Sequence, residues 1–326
     1  IGGTMEGLES AIALTKLAVK AGANAIKVQI LDADRLIGLE QSVSWKDIHG
    51  TAWEGSMRDL LRRRHLERRE WVSLKTVVDE CLLEFIATID CPKTLDLALE
   101  LDADALKLCS GDVTNLSWVE EISKADLPIM LDTGHATLGE IERAVDAASR
   151  APAIMIHHSP SGYPARIESM NLRVITTLRQ MFPECAIAFS DHYPGWDMDL
   201  LAIALGVSMV EKTLTLDRAA DGPEHGMSVD PESAPRMVAS LRAASLALGS
   251  PRRILTDAER FSRASARRSA FASRDLKAGE RAAVEWRRPA AGGIEWAAWP
   301  VYARRVLAHN IHEGSQFIPG DFGAIG

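Results

Sequence analysis

Residues Ala186–Lys212 read AIAFSDHYPGWDMDLLAIALGVSMVEK. A five-residue run of small and apolar side chains, AIAFS, leads into a polar turn. A helical stretch follows over Met198–Leu205, then Leu205-Gly206-Val207, then the second run, SMVEK, ending at Lys212. Short runs of this kind suit strands buried on both faces. Glycine suits the turn, because helices commonly end on a residue in the left-handed region. The stretch is therefore one strand–helix–strand unit, the crossover that parallel strands require.

The same unit recurs upstream. Ala25–Gln29 (AIKVQ), Glu84–Thr88 (EFIAT), Ala105–Cys109 (ALKLC), Pro128–Asp132 (PIMLD) and Ala153–His157 (AIMIH) are runs of the same length, and amphipathic stretches such as Leu138–Ser149 lie between most of them. With Ala186–Ser190 and Ser208–Lys212 they make seven strands. Ile1-Gly2 reads as the end of an eighth, cut by the start of the chain. Eight strands alternating with helices predict an α/β fold, a (β/α)8 TIM barrel. A doubly wound open sheet is the rival, and no GxGxxG follows any run.

The repeat is interrupted at Ile37–Arg69, which carries Trp45, Trp53 and Arg62-Arg63-Arg64 and reads as a lid loop or a surface helix. It ends near Leu248. The predicted organisation is a barrel over residues 1–248, a linker with a helix over 249–266, and a small, mostly β domain over 267–326. In that domain Ser269–Ser273, Ala282–Arg287 and Val301–Ala308 read as strands, with turns at Ala278-Gly279-Glu280 and Glu313-Gly314-Ser315.

Composition narrows the function classes. Over 326 residues the formal net charge is -8, which argues against a nucleic-acid binder held by phosphate neutralisation. No run of eighteen apolar residues suggests a membrane span, and no basic-then-apolar segment suggests a secretory signal. Cys81, Cys91, Cys109 and Cys185 are widely spaced, without a CxxC pair, and read as reduced thiols of a cytoplasmic protein.

In such a barrel the chemistry sits at the C-terminal strand ends. Those ends carry Lys27 and Gln29, Thr88, Lys107 and Ser110, Asp132, His157 and His158, Ser190-Asp191-His192, and Glu211-Lys212-Thr213. Lysines and hydroxyls at one mouth suit a phosphate and a carboxylate. A lysine ending a buried strand is poor core filler, because an unpaired buried ammonium is costly. His157 and His158 are adjacent, so one faces the barrel and the other the helices. For His192 a metal ligand, an acid/base and a satisfied buried histidine are all open, and Asp191 either orients it or caps the turn.

These residues carry a family resemblance. Ala21–Gln29 (AGANAIKVQ) resembles AGAD-x-VKFQ, Ala105–Asp112 (ALKLCSGD) resembles YKIASGD, and Leu131–Thr137 (LDTGHAT) resembles LSTGMAT. His158–Pro164 (HSPSGYP) resembles LHC-x-S-x-YP, Phe189–His192 (FSDH) resembles YSDH, Glu211–Arg218 (EKTLTLDR) resembles EKHFTLDR, and Gly222–His225 (GPEH) resembles GPDH. Arg268–Glu280 and Arg288-Pro289 are similar to an antifreeze-like C-terminal domain. The family is the sialic acid synthases and their relatives that make legionaminic and pseudaminic acids.

The resemblance implies condensation of phosphoenolpyruvate with the open-chain aldehyde of an N-acylated amino sugar, releasing phosphate. A divalent metal, Mn2+ or Mg2+, would polarise the aldehyde. It implies a domain-swapped homodimer whose small domain covers the partner's site. Carried over by motif, Lys27, Lys107, Thr88, Ser110 and Ser161 fall on donor-binding positions, joined by Ser190 and Asp191 of the same strand end. Gln29 and Tyr163 fall on sugar contacts, His192 on a metal ligand, Glu224 on an aspartate that meets the sugar, and Arg288 on the small domain's reach to the acceptor. Lys27, Lys107, His192 and Glu224 are the expected catalytic set.

Some positions depart from the pattern. Thr213 stands at a second metal-ligand histidine and is a poor substitute for it. Asp132 stands at a serine that holds the donor phosphate, and Thr4-Met5-Glu6-Gly7 stands at an N-H-N-G loop. The family's catalytic glutamate would precede Ile1. A site rebuilt around Asp132, His135, His192, Glu224 or His225 for a hard cation is one expectation. Two alternatives stand beside the synthase reading: a weakly active homologue with a binding or regulatory role, and a barrel aldolase or isomerase on another sugar phosphate.

Overall fold

The structure is a computed structural model and describes residues 1–46 and 48–325. It divides into two units, Ile1–Gly249 and Ser250–Gly326.

In the first unit, α1 (Gly7–Ala21) precedes β1 (Ala25–Ile30). The interrupting segment forms α2 (Ala33–Leu36), the antiparallel hairpin β2 (Ser42–Lys46) and β3 (Ala52–Ser56), and α3 (Met57–Arg63). The repeat resumes with α4 (Arg68–Glu80), β4 (Glu84–Ile89), α5 (Pro92–Glu100), β5 (Ala105–Leu108), α6 (Leu116–Ile122), β6 (Ile129–Asp132) and α7 (Leu138–Ala147). It continues through β7 (Ile154–His158), α8 (Arg173–Met181), β8 (Ala186–Asp191), α9 (Asp197–Leu205), β9 (Met209–Lys212) and α10 (Ser233–Leu248). The seven expected strands are all present, with ends shifted by a residue at most. They form one parallel sheet in the order β1-β4-β5-β6-β7-β8-β9. Gly206 ends α9 at φ 92°, the left-handed geometry that a side chain would strain.

Ile1-Gly2 is not a strand. Its segment nevertheless bridges the two sheet edges: the Ile1 amine donates to the Lys27 carbonyl at 2.9 Å, and the Thr4 hydroxyl donates to the Leu214 carbonyl.

The pleat sorts side chains into two shells. Large apolar residues such as Val28, Phe85, Leu106, Leu131, Ile156 and Phe189 point outward into the helix layer, fully buried. Inside the curl, Ile86, Ala105 and Met130 pack with Ala25, Met155 and Met209 as an apolar floor. Two residues further along each strand the same inner face carries Lys27, Thr88, Lys107, Asp132, His157, Ser190 and Glu211. Apolar packing below and the strand backbones on either side give this polar layer a fixed geometry.

The second unit contains α11 (Asp257–Ala266), β10 (Ser269–Ala272), β11 (Val284–Arg287), α12 (Trp299–Tyr302), β12 (Arg305–Leu307) and β13 (Phe322–Ile325). Residues 249–266 are more than a connector: Ala290 and Ala291 donate backbone hydrogen bonds to Ala264 of α11. Val301–Ala308 is a helical turn followed by a three-residue strand, not one strand. Its core holds Ala270, Leu276, Ile294, Phe317 and Phe322, against which Trp286, Trp299 and Tyr302 pack. Among the described residues no helix is long and apolar enough to cross a membrane.

Candidate active site

The polar layer centres on Glu211. Lys27 Nζ lies 2.8 Å from Glu211 Oε1, and Lys107 Nζ lies 2.9 Å from Glu211 Oε2 and 3.0 Å from Asp132 Oδ2. Lys107 is 3% exposed, so its charge exists there only because it is paired. Burial alone would lower its pKa, but Glu211 and Asp132 outweigh burial and hold it above the ordinary lysine value. Burial likewise acts to raise the Glu211 pKa. Lys107 and Lys27 reverse that and hold the carboxyl well below its usual range. Asp132 is lowered in the same way, chiefly by Lys107 against burial. Two cations and two anions thus balance.

His157 completes the layer. It is fully buried, neither ring nitrogen has a hydrogen-bond partner, and Nδ1 is 3.8 Å from Glu211. Burial, then Lys107, brings its pKa down to about 4, so it is neutral at pH 7. His158 faces the other way and bonds the Met170 carbonyl at 2.7 Å. Thr88 is buried with its hydroxyl unpartnered, and the Ser190 hydroxyl donates to Glu211 at 3.5 Å.

Above this layer the rim has two parts. On one side Ser110 Oγ and His135 Nδ1 share a 2.6 Å hydrogen bond, His135 Nε2 is 3.4 Å from Ser161 Oγ, and Ser161 donates to the Gly134 carbonyl at 3.0 Å. Gly134 permits that approach: a Cβ there would lie 2.7 Å from the Ser159 carbonyl and 2.9 Å from Ser161 Oγ. On the other side, Lys27, Gln29, Tyr163, His192, Thr213 and Glu224 line a cavity of about 550 Å3. It continues between β1 and β9 to Val238 and Leu241 of α10. The rings of Tyr163 and His192 lie with centroids 4.8 Å apart, tilted at 48°, and His192 Nδ1 is 3.4 Å from the Pro160 carbonyl.

The interrupting segment reaches the same cavity. Arg64, just past α3, pairs with Glu224 at 3.1 Å, and Arg63 pairs with Asp221 at 3.0 Å. The segment is therefore a hairpin and a helix whose basic end holds the loop after β9, not an unstructured lid.

Two expectations need correction. Asp191 does not face the mouth. It shares the outward face of Ile187 and Phe189, accepts from the Tyr193 amide at 2.8 Å and pairs with Lys212, which also donates to the Tyr193 carbonyl. It braces the turn that carries His192. The rebuilt metal set is not assembled either. Asp132 is held by Lys107, His135 by Ser110, and His225 Nδ1 by the Thr215 hydroxyl at 2.7 Å. Glu224 lines the cavity with His192 but is held by Arg64. Among the described residues no three His, Cys, Asp or Glu side chains gather to hold a metal. One imidazole beside the neutral hydroxyl of Thr213 is a poor donor set for a transition metal.

Glu211 and His157 are the residues to which sequence reading gave no role in the site. The signal was present: within β9, Met209 and Glu211 alternate with Val210 and Lys212, so Glu211 must share the face of the inward methionine. Arg288 is exposed on the second unit.

A curled parallel sheet that gathers ionisable side chains at the C-terminal ends of its strands defines an α/β barrel of the kind that carries an active site there. More narrowly, the sequence matches the NeuB family over residues 14–253, and the chain belongs to that family. It is 32% identical to an uncharacterized protein of Methanocaldococcus jannaschii, over 92% of this chain and 86% of that one. It is 29% identical to the N,N'-diacetyllegionaminic acid synthase of Legionella pneumophila, over 85% of this chain and 80% of that one. Among solved structures, the N-acetylneuraminic acid synthetase of Leptospira borgpetersenii, in complex with citrate, superposes with a TM-score of 0.69. It is 26% identical and the match covers 78% of this chain and 85% of that one.

Proposed function

We propose that the chain is a synthase that joins phosphoenolpyruvate to the open-chain aldehyde of an N-acylated amino sugar, consuming one water and giving a nonulosonic acid and inorganic phosphate. The observation that carries this reading is the convergence of Lys27 and Lys107 on one carboxylate, 2.8 and 2.9 Å away, inside the barrel mouth. Two ammoniums fixed on either side of a carboxylate-sized group suit an anionic three-carbon donor. Names of the related synthases support the same reaction class.

In this reading the lysines and the hydroxyls of Thr88, Ser110 and Ser190 orient the donor and disperse its charge as the new carbon–carbon bond forms. Gln29 and Tyr163 meet the acceptor. Glu224, poised by Arg64, and His192 are the groups beside the aldehyde that hold or give up protons. The donor set at His192, one imidazole beside the Thr213 hydroxyl, does not suit a transition metal. The small second unit is read as an antifreeze-like domain, and its exposed Arg288 as a residue that reaches the acceptor of a second copy in a cytoplasmic, domain-swapped dimer.

The test is phosphate release. The chain is incubated with phosphoenolpyruvate and a panel of N-acylated amino-sugar aldehydes, and the product is checked for a new α-keto acid. Release that depends on one acceptor is expected. No release with any acceptor overturns the reading, and turnover of another sugar phosphate without phosphoenolpyruvate replaces it with an aldolase or isomerase.

A further inference from the structure

We propose that the described residues of the segment 31–66 form a hinged strap over the Glu224 side of the cavity, closed by a latch of two ion pairs. The inference goes beyond the reaction proposed above and holds whatever the cavity accepts.

The first ground is that the strap is a body of its own. Ala33, Ile37, Trp45 and Leu60 are buried, yet none of them belongs to the apolar clusters of the barrel. Their cover comes from within the strap. The Trp45 ring lies over Gly55, where a Cβ would be 3.2 Å from its Cη2. The Met57 amide donates to the Gln41 carbonyl at 2.9 Å, tying α3 to the hairpin. Arg58 donates to the Ile37 carbonyl and Arg62 to Asp34, each at 2.6 Å, tying α3 to α2. A piece bonded in this way moves as a unit, and lifting it uncovers little of the barrel core.

The second ground is the nature of its grip on the loop after β9. Arg63 ends α3 and Arg64 follows it. Arg63 pairs with Asp221 at 3.0 Å and Arg64 with Glu224 at 3.1 Å, so two neighbouring cations meet two carboxylates of one loop. Beside them the hairpin rests on Gly226, where a Cβ would lie 3.4 Å from Ile48 Cγ2. The Arg63 pair is open to solvent and is screened by salt. The Arg64 pair is mostly buried, so opening it leaves Glu224 without its cation until water or a guest replaces it.

The third ground is that one latch carboxylate belongs to the cavity. Glu224 lines it, with its carboxylate laid against the Gly3 backbone. A polar guest that takes Glu224 competes with Arg64 for it. Filling the cavity therefore loosens half of the latch, and closing the latch draws Glu224 back from the guest. Opening of the strap and occupancy of the cavity are linked through this carboxylate.

The experiment is amide hydrogen exchange, followed by mass spectrometry, on the chain, R63E and the charge-swapped R63E/D221K. Arg63 and Asp221 are the solvent-exposed pair, so both variants leave the cavity residues in place. In R63E the amides of α2, the hairpin and α3 are expected to exchange about fivefold faster, the loss of one such pair. Residues 2–4, against which Glu224 lies, should follow them, while β4 to β8 stay as in the parent. The swap should restore slow exchange. Raising salt to about 0.5 M, where the screening length is about 4 Å, should speed the strap of the parent and leave R63E unchanged. Strap exchange that R63E does not alter overturns the latch. So does a rise spread evenly over the barrel, which marks general destabilisation, or a swap that fails to restore the parent. None of these outcomes bears on the synthase reading.

Discussion

His157 shows how a single side chain ties the interior to pH. By the family resemblance its position holds leucine, yet here an imidazole stands among Lys107, Glu211 and Asp132 without a hydrogen-bond partner. Its folded pKa, about 4, lies below the unfolded value of about 6.5. Between those values the unfolded chain binds the proton that the folded chain refuses. Stability is therefore full above pH 6.5 and falls as pH drops toward 4, by roughly 3 kcal/mol for this group. His158 and His225 are also lowered by burial and act in the same direction. H157L should lose part of the acid sensitivity: urea unfolding between pH 7 and 4.5 should show a shallower decline than in the parent. An unchanged slope would mean that the other two histidines account for it.

Among the elements, the turn from β6 to α7 does the most positioning. It begins at Asp132, which Lys107 holds. It passes through Gly134 beneath Ser159 and Ser161, then presents His135, and enters α7 through a capping box in which Glu140 accepts from the Thr137 amide. Gly134→Ala would push a methyl group into the Ser159 carbonyl, so the β6 and β7 loops must separate. About 1–3 kcal/mol of destabilisation is expected. Thermal unfolding would check this, and a G134A variant as stable as the parent would contradict this account of the turn.

Much of this was legible in the sequence, and the divide has a physical basis. Strands read well because apolar runs buried on two faces leave no ambiguity of length or type. The lysines read well because charge at a buried strand end needs a reason. Asp191 misled because neighbouring polar residues at a strand end look alike until the pleat is phased from Ala188 and Phe189, small inward and large outward. The β2–β3 hairpin pairs Trp45 with Trp53; Ser42–Lys46 alternates polar and apolar residues, but Ala52–Ser56 offers no such pattern to pair with it. Pairings across the barrel, such as Lys107 with both Glu211 and Asp132, depend on residues 104 and 25 positions apart that no local pattern connects.

At the scale of the whole molecule, two units with separate cores carry a net charge of -8. The overall field therefore does not steer an anionic donor inward, and recognition falls to the local arrangement inside the sheet. There the fixed charges already sum to zero. A multiply charged guest leaves the buried layer with an excess of negative charge, and the least costly remedy is a proton taken from the surrounding solution, with His157 the nearest vacant base. Entry of the donor should therefore draw hydrogen ions out of the medium: at pH 6 the observed binding enthalpy should rise with the ionisation enthalpy of the buffer, and a flat dependence would show that the guest arrives already protonated.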